Sequence, residues 1–203
     1  MSSRIESEAS ADRFSGPKAT RTKQLLLDTA KRLFLERGYD ATAVEHIAEA
    51  AGVSRATFYT YFPSKRDVVV GVSLMASDAM LASIRLLREL PDDWTLDHIN
   101  TWVRAYFAYQ DEYGAWAMAW AQASRSDDDL RPSRGKTQRF HAATLGRELQ
   151  RVSGRTDSDP MLDGLVVLVL MQRLWLVGQD GEVTSDKDSL ITAAAEAVAA
   201  LVR

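Results

Sequence analysis

The side chains with the most chemistry to offer lie close together in residues 54–65, SRATFYTYFPSK. Phe58 and Phe62 stand four apart and fall on one face of a helix, where they can anchor it from below. The remaining positions then form an opposite, polar edge. Arg55 carries a planar fork of donors that matches the two acceptors of guanine. Ala56 and the Thr57 methyl can touch a thymine methyl, and the Thr57 hydroxyl can reach a phosphate. Tyr59 and Tyr61 can give their hydroxyls to phosphates, with Ser54 and Thr60 at the rim of the same edge. Lys65 and Thr42 each fall at the start of a helix, where backbone amides favour a phosphate. Taken singly, each residue has a plain structural reading as well. Tyrosines near a helix end pack half-buried, a lone arginine is a solvated charge, and Thr42 and Ser64 serve as caps. Only their joint arrangement points to a duplex partner.

The elements that must position these residues are legible as helices. An apolar stripe of Leu25, Leu26, Thr29, Ala30, Leu33 and Phe34 predicts a helix over 21–37, capped by Thr20 and stopped by Gly38. Thr42 with Glu45 reads as a capping box for a second, short helix that ends at Gly52. Ser54 caps a third helix reaching Phe62, and Ser64 with Asp67 opens the next one or two, which reach Leu90. A short helix, a glycine corner and a capped second helix make a helix-turn-helix signature.

Further along, helices are expected over 96–110 and 115–125, with a break near Gly114, and over 133–152, 161–177 and 190–202. Loops are expected at 126–132, 153–160 and 178–185. No strand alternation is convincing, so the fold class is all-α: an N-terminal three-helix unit followed by a larger helical body. The expected division is a flexible arm at 1–19, a helix-turn-helix domain at 20–66 and a ligand-binding and dimerisation domain at 67–203.

The charge pattern agrees. The chain of 203 residues has net charge -3. Residues 18–66 nevertheless carry nine Lys/Arg against five Asp/Glu, while everything after Arg66 is net acidic. A basic module on an acidic body suits local phosphate binding. The absence of cysteine excludes disulfides, thiolate metal sites and cysteine nucleophiles, and makes a reducing cytoplasm the expected compartment. No uninterrupted run of about 18 apolar residues occurs, so no membrane span is expected.

Residues 33–69, LFLERGYDATAVEHIAEAAGVSRATFYTYFPSKRDVV, resemble the TetR/AcrR family of bacterial regulators. The resemblance is carried by Leu33-Phe34, Gly38-Tyr39, then Thr42, Val44, Ile47 and Ala48. Its most specific part is Gly52, Val53, Ser54, Thr57, Phe58, Tyr59, Phe62 and Lys65. It implies a homodimer with one helix-turn-helix per subunit, usually a repressor released by a small ligand. Glu45 and Tyr61 depart from the family pattern, which puts base preference in doubt. Two recognition helices would then enter successive major grooves about 34–36 Å apart on a near-palindromic operator.

In the body, Trp102, Tyr106, Tyr109, Tyr113, Trp116 and Trp120 recur at helical spacing. Such a stripe can be core or can line a pocket. Trp102, Tyr106, Trp120, Phe140 and Trp175 are the candidate ligand contacts, and the few charges among them point to an apolar or aromatic effector. The segments 161–177 and 190–202 are apolar nearly all round, and are either buried core or a four-helix dimer interface. His46, His98 and His141 are scattered, so no metal or cofactor is expected. No phosphate loop, dinucleotide fingerprint or nucleophile elbow is present. A small helical enzyme and a helical adaptor with a vestigial DNA module are the rival readings; against the enzyme, the sequence offers no convergent acid–base or metal set.

Overall fold

The computed structural model describes residues 16–126, 131–155, 157–180 and 186–203. Among these are eight helices and no strand, as the all-α reading requires: α1 (Pro17–Arg37), α2 (Val44–Ala50), α3 (Arg55–Tyr61), α4 (Lys65–Arg88), α5 (Leu96–Ser126), α6 (Arg131–Ser153), α7 (Pro160–Asp180) and α8 (Lys187–Leu201). The described residues fall into two compact units, one ending at Met75 and one beginning at Ala76. Most of the expected N-terminal arm, and parts of the loops expected at 126–132, 153–160 and 178–185, lie outside the described residues.

In the first unit α1 begins earlier than expected. Gly16 is its N-cap and Pro17 its first residue, so Thr20 sits inside the helix rather than capping it. Its buried face is Leu26, Leu27, Ala30, Leu33 and Phe34, whereas Leu25 is 45% exposed. Thr29 is buried with them, so the expected stripe holds except that Leu27 takes the place of Leu25. α2 packs on both α1 and α3. Gly71 of α4 lies so close that an added methyl would stand 2.6 Å from Leu27 Cδ2 and 3.3 Å from Phe62 Cε1. Phe62, the C-cap of α3, is therefore packed closely against α4.

In the second unit α5 packs on α8, and α6 on α7. Of the one or two helices expected after Ser64, the structure has one, over 65–88. α5 also runs unbroken through Gly114, where a side chain would meet the Trp175 ring at 2.6 Å. That glycine serves a close approach within a helix, not a break. The Ser64 cap is as expected: its hydroxyl donates to Asp67 Oδ2 (2.6 Å) and accepts from the Asp67 amide (3.3 Å).

Lys65–Arg88 and Pro160–Gln179 each contain a window of mean hydropathy 1.6 and 1.7, long and apolar enough by length and composition to cross a membrane. Each is interrupted by charged residues, such as Asp78 in the first and Asp163 and Arg173 in the second, so neither is an unbroken apolar run. Core and interface helices of globular proteins meet the same criterion.

Candidate nucleic-acid interface

The corner between α2 and α3 is built by the backbone. The Gly52 amide donates to Glu49 O (3.0 Å) and the Val53 amide to Ala48 O (2.9 Å). Gly52 has φ +66°, a left-handed conformation that glycine takes without steric cost. Ser54 then caps α3: its Oγ accepts from the Thr57 amide at 3.0 Å and lies 2.9 Å from the Thr57 hydroxyl. Below, Phe58 and Phe62 are 0% and 3% exposed with ring centroids 6.0 Å apart. Ile47 and Ala48 of α2 are buried as well.

With the underside fixed, the outer edge follows. Ser54, Arg55, Ala56, Tyr59 and Thr60 are exposed, and Thr57 and Tyr61 are half-buried at the rim. The Thr60 hydroxyl donates back to Ala56 O at 2.9 Å, and the Tyr59 ring stands edge-on to Phe58. Seven of the nine residues singled out from sequence are thus on one short helix and its cap.

The other two are corrected. Thr42 is fully buried, and its hydroxyl donates to the Gly38 carbonyl (2.8 Å) and toward the Leu33 carbonyl (3.3 Å). It closes the end of α1 and can neither cap α2 nor reach a phosphate. The cap moves one residue on: Ala43 is the N-cap, and His46 Nδ1 accepts its amide at 3.1 Å in the place assigned to Glu45. Lys65 is half-buried, with its ammonium already engaged by Tyr39. Its Nζ donates to Tyr39 O (2.8 Å) and stands 4.1 Å over the Tyr39 ring. Burial holds its ammonium pKa below the ordinary value, against a smaller opposing pull from Asp40. Lys65 therefore braces the α1–α2 turn.

Sequence reasoning missed one contact here. Glu45, freed from capping, pairs with Arg55 at 2.8 Å. Helical spacing holds no signal for a pair ten residues apart across a turn.

Residues 26–72 match the profile of the bacterial regulatory proteins of the tetR family. This unit is similar to the N-terminal unit of the tetR family. The TetR-type unit is 48% identical over 59 residues to the transcriptional repressor KstR2 of Rhodococcus jostii, covering 29% of this chain and 28% of that protein. It is 39% identical over 69 residues to the regulator TcmR of Streptomyces glaucescens, covering 34% and 30%. The chain spans less than half the length of the curated relatives it matches. In fold, the chain is similar to a tetR-family transcriptional regulator from Streptomyces coelicolor, with TM-score 0.69 and 22% identity over 90% of this chain and 80% of that one.

Beyond the TetR-type unit, the five candidate ligand residues do not converge. Trp102, Tyr106 and Trp175 share one buried core. Trp120 is half-buried and stacked on Trp116 (6.4 Å, 11°). Phe140 is 52% exposed, because the register of α6 turns His141 and Ala142 inward instead. A cavity of about 300 Å³ between α6, α7 and α8 is lined by Leu149, Gln150, Leu162, Asp163, Val166 and Leu201 among others, and includes none of the five.

Two buried polar groups of α5 are nevertheless unmet. Trp102 Nε1 and Gln110 Nε2 are buried without a hydrogen-bond partner. Trp175 Nε1, by contrast, donates to Asp111 (2.9 Å), which also pairs with Lys187. Burial pushes the Tyr109 hydroxyl up to about 12, and that of Tyr106 above its ordinary value with a further contribution from Tyr109. Both phenols stay neutral. Among the described residues no group of three or more His, Asp or Glu is arranged to hold a metal.

Proposed function

We propose that this chain is a DNA-binding transcriptional regulator that acts as a homodimer in the cytoplasm. In this reading it represses by holding a near-palindromic operator and is released by a small, largely apolar ligand. The observation that carries the reading is the two-sidedness of α3. Arg55, Ala56, Tyr59 and Thr60 stand exposed on one edge, while Phe58 and Phe62 are buried beneath. A helix so anchored offers base and phosphate contacts with little loss of order on binding.

The dimer is supported by an uncovered apolar row on α7. Leu162, Val166 and Val169 are 53%, 57% and 56% exposed, with Leu201 of α8 also exposed. A row at this spacing suits packing against a second copy. The ligand class is supported by the two orphan donors. Each leaves a cost that an acceptor would relieve, so an apolar molecule bearing carbonyl or hydroxyl oxygens fits best.

The test is fluorescence anisotropy on duplexes tiled across the gene's own upstream region. The expected result is retention of at least one duplex, with Arg55→Ala weakening it roughly 5–150-fold, the value of one bidentate base contact. Equal binding by wild type and an Arg55→Ala/Tyr59→Ala double variant would remove α3 as the contact surface.

A further inference from the structure

We infer that Glu45 is a positioning residue for base selection, acting through Arg55; this rests on the DNA-binding reading above. Arg55 Nη2 lies 2.8 Å from Glu45 Oε1, with the side chains 62% and 48% exposed. Glu45 is in the first turn of α2 and Arg55 is the first residue of α3. The corner at Gly52 brings them together on the exposed side of the unit.

Neither usual reason for the pair applies. The fold does not depend on it, because the buried phenylalanines hold α3 and ion pairs this exposed contribute little. Affinity for a polyanion is lowered by it, because a carboxylate beside phosphates repels them. What the pair supplies is orientation. A free arginine spreads over many rotamers, whereas one held by its Nη2 presents its remaining N–H groups in one direction. A guanine placed there satisfies them. On any other base Arg55 can swing to a phosphate only by leaving Glu45 unpaired in a negative field. Glu45 thus penalises the wrong duplex, which is how discrimination is gained at the expense of affinity.

The test uses the full chain as wild type, Glu45→Gln, Arg55→Ala and the double variant, each selected against fully randomised duplexes. Thermal melting checks that all four remain folded. The position Arg55 reads is the one whose preference disappears in Arg55→Ala. There, Glu45→Gln should lower discrimination about tenfold, within the range of one base contact. It should also raise affinity for unrelated duplex about two- to fivefold, as expected for a charge at the rim. In the Arg55→Ala background it should change no base preference. The inference is overturned if Glu45→Gln keeps the wild-type preference, if it lowers preference equally without Arg55, or if Arg55→Ala loses no preference. Wild type enriching no sequence would overturn the DNA-binding reading along with it, whereas a selective wild type with an unchanged Glu45→Gln overturns the pairing alone.

Discussion

Replacing Gly164 with alanine is expected to destabilise the second unit by ~3 kcal/mol or more, the upper end for overpacking. Helices α6 and α7 cross backbone to backbone there. A Cβ on Gly164 would overlap the Ala142 carbonyl oxygen, and one on Gly146 would overlap the carbonyl of Pro160. These obstacles are main chain, so no rotamer change relieves them and the helices must separate. Separation uncovers Leu145, Val167 and Met171, all buried in the same core. Differential scanning calorimetry should show a fall in Tm of roughly 10 °C. An unchanged melt would mean that the crossing is looser than described. Because the exposed row on α7 is carried by this helix pair, the variant should also lose self-association in analytical ultracentrifugation.

Replacing Phe58 with alanine should have a comparable effect on the first unit. Phe58 is fully buried, in ring contact with Phe62 and, edge-on, with Tyr59. Truncation removes the transfer energy of the ring and leaves a cavity, for a loss of about 3–5 kcal/mol. A unit this small has little stability to spare. Amide hydrogen exchange should therefore quicken across α2 and α3 while α5 to α8 keep their protection. Duplex affinity should fall even though Arg55, Thr57 and Tyr59 are all present. Retained affinity with fast exchange would argue that the polar edge does not depend on its anchor.

The α2–turn–α3 corner was legible in the sequence because its signals are local. Gly52 supplies the turn, Ser54 the cap, and the spacing of Phe58 and Phe62 the buried face. What escaped depended on contacts between distant residues. Thr42 carries a good capping side chain, but the carbonyls ending α1 claim its hydroxyl first, so the cap shifts to Ala43 and His46. Lys65 looks like a phosphate ligand until Tyr39 is placed beneath it. Gly114 reads as a helix break because nothing local announces the Trp175 ring that covers it. On α6, Phe140 and His141 are neighbours, and only the register decides which is buried. In the body, helical periodicity identifies an inward face but does not say which rings share a core, so Trp102, Tyr106 and Trp175 were separable from Trp120 and Phe140 only in three dimensions.

The most direct measurement of whether α3 meets a duplex is the dependence of binding on salt. Neutralising phosphates with the basic residues of this unit releases counterions, and each contributes about -0.9 to the slope of log affinity against log salt. Four or five such contacts across a dimer predict a slope of about -3.6 to -4.5 for the wild-type chain. A flat line, with affinity unchanged as salt rises, would contradict the account at its centre.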